Sequence, residues 1–193
     1  MTAPPRLIPL LAQFDDALNR LVARLDGLSD AEYFWEPVPD CWSVRQPGQA
    51  RGNRARGAGG WVIEGASPEP EPPPFTTIAW RLCHLASVMF LRTDYTIGTR
   101  TRTYDDFPVP GTAVSARSAL VAAGTFWREA LTSAGDAALD QVGRSAFPWG
   151  FDPTVPFLDV CWWENQELLN HGGEIALLRD LYRAGGGATI SRT

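Results

Sequence analysis

Leu7, Leu11, Phe14, Leu18, Leu21 and Leu25 recur in steps of four and three residues, while Asp15, Asp16, Asn19, Arg20 and Arg24 fall mostly on the other side. That spacing predicts an amphipathic helix over residues 6–26. Gly27 ends it, and Ser29 to Glu32, reading SDAE, has the capping-box pattern that opens a short second turn of helix. Residues 36–74 carry Pro37, Pro39, Pro47, Pro68, Pro70, Pro72, Pro73 and Pro74 together with six glycines, which leaves no regular element longer than a few residues. A loop of that length within a compact domain is usually functional or poorly ordered, so the segment is expected to be an ordered or partly ordered insertion rather than a linker.

Helical periodicity returns after the loop. Thr77 can cap a helix over residues 78–97 that stops at Gly98, with Ile78, Leu82, Leu85 and Met89 on one stripe and His84 lying on it. A third helix is expected over residues 115–133, burying Leu120, Phe126, Trp127 and Leu131, and a fourth over 155–183, opened by Thr154 and Pro156 and ended by the glycines from Gly185. Four long helices, no strand alternation and no internal repeat predict an all-α four-helix bundle, with residues 1–193 forming a single domain. The loops at 36–74 and 99–113 are long enough to cross the bundle, so an up-down-up-down order is not assumed.

The fourth helix departs from a simple core stripe. With His171 at the centre and about 100° of rotation per residue, Phe157, Val160, Leu168, Ile175, Leu178 and Tyr182 share its arc with Glu164, Glu167 and Glu174. Arg179, Asp180 and Arg183 are assigned to the solvent side. Several carboxylates on an inward face call for a compensating cation or an opening to water. Glu167 and His171, at i and i+4, sit one above the other and can bind one ion from the same side. The chain has two histidines, and the other, His84, lies on the second long helix beside Trp80, Val88 and Leu91. His84, Glu167 and His171 therefore form the natural set: two imidazoles and one carboxylate, an open three-ligand site that leaves positions for water or substrate. Either histidine alone is more readily read as a hydrogen-bonded core residue, and Glu167 alone as the partner of an arginine; the coincidence of both histidines with the carboxylate at i-4 favours the metal reading. Glu164, Glu174 and Arg81 are candidates for supporting or substrate-binding positions.

Composition narrows the setting. A chain of 193 residues with 45% hydrophobic residues and eight tryptophans can fill a substantial core. A net charge of -5 argues against a nucleic-acid partner, since phosphate binding normally requires a basic face. Cys41, Cys83 and Cys161 are odd in number and lack the C-x-x-C spacing, which fits a reduced, cytoplasmic setting. The N-terminal apolar run reaches acids too soon for a signal-peptide core, and no stretch approaches the ~20 apolar residues of a membrane span.

The segments IAWRLCHLA, ENQELLNHGGEIALLRDLY and LSDAEYFWEPVPDCWSVR together resemble the DinB/YfiT-like superfamily over residues 6–184. The resemblance implies a four-helix bundle with a metal site of three ligands, commonly three histidines, and often a homodimer. A branch similar to mycothiol-dependent maleylpyruvate isomerase uses histidine, glutamate and histidine, the pattern met here at His84, Glu167 and His171. The implied activity is a thiol-dependent transferase or isomerase on a small-molecule substrate. Its divalent ion would be zinc, with nickel or another metal as the alternative, and its cosubstrate a low-molecular-weight thiol such as mycothiol. A water-activating hydrolase and a non-catalytic bundle with a vestigial site are the rival readings; no catalytic side chain is assigned. The adjacent Trp162 and Trp163 cannot both face the helix's own core, which adds to the expectation of a homodimer.

Arg45, Arg51, Arg54 and Arg56 cluster in the long loop, either as a solvated charge run or as holders of an anionic substrate. Trp35, Trp42 and Trp61 are expected to pin that loop by packing. The cysteines are expected to be small buried residues. No G-x-S-x-G, P-loop or dinucleotide fingerprint occurs in the sequence.

Overall fold

The helices start where a side chain can take up the backbone N–H groups that a first turn leaves unpaired. Thr77 Oγ1 accepts from the N–H of Trp80 at 3.2 Å and opens α3 (Ile78–Ile97). Thr112 Oγ1 accepts from the N–H of Ser115 at 3.2 Å, so α4 (Ala113–Ser133) begins two residues before the expected Ser115, which is the third residue of the cap. In this computed structural model, which describes residues 3–147 and 153–187, the remaining long helices are α1 (Ile8–Arg24) and α5 (Phe157–Leu181), and α2 (Asp30–Tyr33) is a single turn after α1. A π-helical turn, Tyr182–Gly186, follows α5, with Gly185 at a φ of 111°.

The four long helices form an all-α bundle in which α3 packs chiefly on α4 and α1 on α5, with α3–α5 and α1–α4 contacts closing the ring. Contacts between named side chains fix the directions. Asn165 donates to the carbonyl of Leu10 at 2.9 Å and Arg24 pairs with Asp180, so α1 and α5 run parallel. Arg128 with Asp15 and Arg117 with Asp26 set α4 antiparallel to α1. His84 with Glu167 and Arg92 with Glu164 set α3 antiparallel to α5. The order is therefore up, down, down, up. Parallel α3 and α4 require residues 98–112 to run back along the bundle, and that return brings Tyr104 beside the candidate site.

The core joins Phe14, Leu21, Ile78, Leu82, Leu120, Trp127, Phe157, Leu168 and Ile175, all buried in one cluster. Each such side chain contributes roughly 1.5–3 kcal/mol by leaving water. Leu120, Trp127 and Leu131 are inside as the pattern predicts, but Phe126 is 57% exposed. The inner face of α4 is instead built from small residues, Ala116, Ala123 and Ala130. A Cβ on Gly124 would lie 2.6 Å from Leu18 Cδ2, whereas Phe126 is on another face of α4 and lines an open groove with Phe90, Thr93 and Ile97 of α3.

Arg179 corrects the sequence reading more sharply. It is fully buried rather than solvent-facing: Nε donates to Glu32 Oε1 at 2.7 Å, Nη2 to Oε2 at 3.2 Å, and Nη1 to the carbonyls of Arg24 and Asp26. Its guanidinium thus takes up carbonyls left open at the end of α1. Ser29 does accept from the N–H of Glu32 at 3.2 Å, but the Glu32 carboxylate turns to Arg179, so only half of the expected capping box forms.

The proline-rich loop is tied down along its length. Strands β1 (Val44–Arg45) and β2 (Val62–Ile63) pair antiparallel, Val44 opposite Ile63; no strand is expected from the pattern because two residues cannot display alternation. Glu64 is buried and gathers the segment. It accepts from the N–H of Ser43 at 2.7 Å, from Arg45 Nε at 2.9 Å and from the N–H of Arg51, while its carbonyl accepts from Trp80 Nε1 at 2.8 Å. Ala58 pairs with residues 107–109, and Gly111 lets the Trp61 ring lie against the backbone, where a Cβ would meet its Nε1 at 2.0 Å. No described helix is long and apolar enough to cross a membrane.

Candidate metal centre

Antiparallel packing of α3 on α5 brings His84, Glu167 and His171 together with one donor atom from each, all within 4.8 Å of one another. His84 Nε2 lies 3.2 Å and His171 Nε2 3.5 Å from the same oxygen, Glu167 Oε2. The two imidazoles meet edge to face at 5.0 Å. Trp80, one turn before His84, stacks on it at 5.0 Å with 10° between the planes and fixes the ring.

Behind His171 the supporting groups follow the pattern that orients a histidine ligand. Nδ1 lies 2.7 Å from Glu174 Oε2, which leaves Nε2 facing Glu167. Arg81, buried on α3, ion-pairs with Glu174 and lies 3.2 Å from the same imidazole nitrogen. Sequence reasoning placed Arg81 and Glu174 near the site, and the structure joins them in one chain behind His171. Glu164 is elsewhere: it is buried against Arg92 one helical turn deeper, where the guanidinium also lies over the rings of Phe147 and Trp163.

The electrostatics favour a cation. Hydrogen bonds from His171 and then His84 hold the Glu167 carboxyl down at about 2, against the opposing effect of burial. Burial holds the His84 imidazole below its ordinary value, with Glu167 acting against it. The carboxylate is charged and one imidazole is biased toward neutral, the protonation states in which these groups coordinate metal. Two nitrogen donors and one oxygen on converging faces, with a carboxylate behind one imidazole, fit a divalent ion.

His84 also lines a cavity of about 420 Å³ walled by Trp42, Arg54, Arg56, Ile63, Trp80 and Tyr104. The loop arginines divide there. Arg45 and Arg51 are ion-paired with Glu36, and Arg45 also with Glu64, whereas Arg54 and Arg56 face the cavity. Sequence reasoning did not single out Tyr104, because only the return path of residues 98–112 brings it here. Trp42 is buried and Trp35 and Trp61 pack against the core, as expected. Cys41, Cys83 and Cys161 are buried and unpaired, and burial pushes the thiols of Cys83 and Cys161 up to about 12.

The sequence places this helical bundle in a family. The chain belongs to the DinB superfamily, whose family profile matches residues 13–175. Searches of curated proteins and of solved structures gave no match.

Proposed function

We propose that His84, Glu167 and His171 bind a divalent ion, zinc before nickel, and that the protein is a thiol-dependent transferase or isomerase acting on a small molecule. The carrying observation is the convergence of three donor atoms within 4.8 Å. An ion held there supplies Lewis acidity, which lowers the pKa of a bound thiol or water. Glu167 offsets its charge, Glu174 fixes the ring of His171, and Arg81 anchors Glu174. The chain's own cysteines are poor nucleophiles, buried with thiols at about 12 for Cys83 and Cys161. A thiolate for transfer therefore comes from a diffusible low-molecular-weight thiol of the mycothiol type. Such a thiol would reach His84 through the cavity that this residue lines.

The same reading takes the whole chain as one cytoplasmic unit that acts as a homodimer. Trp162, 52% exposed on α5, supports a surface that a second copy would cover. Elemental analysis of protein purified without added metal tests the centre, and about one equivalent of zinc is expected. Turnover of electrophilic substrates with and without added thiol tests the chemistry: activity that needs no thiol points to water activation instead.

A further inference from the structure

Arg56 sits in the wall of the cavity that contains His84, its guanidinium stacked over the Tyr104 ring with Cζ 4.6 Å from the centroid. Among the described residues no carboxylate forms an ion pair with it, in contrast to Arg45 and Arg51. Arg54 lines the same wall and its charge opposes that of Arg56. Two acids also line the cavity. Glu64 already accepts from Ser43, Arg45 and Arg51, and Glu69 lies exposed at the rim. The remainder of the wall is aromatic and apolar: Trp42 and Trp80, with rings 6.5 Å apart and tilted by 31°, and Ile63.

A partly desolvated guanidinium with no carboxylate partner attracts an anion strongly, because a planar fork matches a carboxylate bidentately and the surrounding rings exclude water. The stack on Tyr104 holds the fork in one orientation before anything binds, which reduces the ordering cost of association. A cavity of about 420 Å³ suits a small organic molecule rather than a macromolecule.

We infer that this cavity binds a small organic carboxylate, its anionic end on Arg56, its apolar body against Trp42 and Trp80, and its far end at His84. The inference deepens the proposed function, since the far end is then the one presented to the metal centre, but the binding itself requires no ion. It assigns Arg56 as the residue that selects a carboxylate substrate, with Tyr104 positioning the guanidinium.

The test uses phenylacetate as probe, with phenylacetamide and inorganic phosphate as controls. Binding is followed by tryptophan fluorescence and calorimetry on zinc-free and zinc-loaded protein. Phenylacetate is expected to bind both forms, with the amide and phosphate weaker by about tenfold or more. Arg56→Gln should weaken phenylacetate by a similar factor, Arg56→Lys should restore part of the loss, and Arg56→Gln should bind zinc no more weakly than wild type, because the charge it removes opposes a cation at His84. Equal binding of phenylacetate and phenylacetamide by the wild type overturns the inference without any variant, as does phosphate binding as tightly as phenylacetate. If zinc fails to bind while phenylacetate binds with the stated preference, the metal reading falls and the carboxylate site stands. If zinc binds and no carboxylate preference appears, the reverse holds.

Discussion

Glu174 Oε2 lies 2.7 Å from His171 Nδ1, three residues along the same helix, and this contact turns the opposite nitrogen of the ring toward Glu167. One carboxylate thereby orients the imidazole while the other faces its opposite nitrogen, so two acids two helical turns apart meet different sides of one ring. Substitution separates them.

His171→Ala should abolish zinc binding, because two donors from different helices do not make even an open three-ligand site. Glu167→Gln should weaken it strongly while leaving the fold intact, and Glu174→Gln should cost about 10–100-fold. Competitive titration against a chromophoric chelator ranks the three, and Glu174→Gln losing the ion while Glu167→Gln keeps wild-type affinity would reverse the assignment.

Asp94 near the end of α3 contributes acid-sensitive stability. Burial pushes its carboxyl up, but the N–H groups of Arg102, Thr99 and Thr101 outweigh that and hold it below the usual value of 3.8. A depressed folded pKa gives stability that is fully present above the unfolded value and fades as pH falls through the folded one. Asp94→Asn should therefore be less stable than wild type at pH 7, and the gap should narrow below about pH 4. Urea melts across that range check it; a gap independent of pH contradicts the role.

The buried pair of Arg179 and Glu32 predicts a second stability pattern. Arg179→Met leaves the buried Glu32 carboxylate with only the longer contact to Arg183 at 3.8 Å and should cost ~3–5 kcal/mol. Adding Glu32→Leu should recover part of this, though not all, because the carbonyls of Arg24 and Asp26 stay unpaired. A double-mutant cycle by chemical denaturation measures the coupling, and additive losses would show that the pair is not coupled.

Gly111→Ala should displace Trp61 from its stack on Phe34, now at 5.4 Å with 24° between the rings. Overpacking of this kind costs ~1–3 kcal/mol. The loop's tryptophan fluorescence should change along with the melting temperature; an unchanged spectrum would mean the ring has room to move.

The helices were legible because their signals are local: Thr77 and Gly98 bracket α3 just where the structure ends it. The cluster of His84, Glu167 and His171 was legible for a similar reason, an i, i+4 pair plus the one remaining histidine. Arg179 was not, since what draws it inward is Glu32, 147 residues earlier in the chain, and helical angle alone says nothing of such a partner. Phe126 differs from the expectation because the groove it lines between α3 and α4 stays open, and local periodicity says nothing of how two distant helices leave a groove. The cavity wall was beyond sequence reasoning too: Arg56 and Tyr104 meet through the pairing of Ala58 with residues 107–109, a long-range match with no periodic trace.

The up-down-down-up order places the two sides of the candidate metal centre on helices that are neighbours in space yet far apart along the chain, His84 and Glu167 being separated by 83 residues. Glu167 and His171 are already neighbours on α5, and His84 joins them only where α3 packs beside that helix. An ion bound at this point would act as a latch on the finished bundle, and its occupancy and global unfolding would then form a single equilibrium in which each shifts the other.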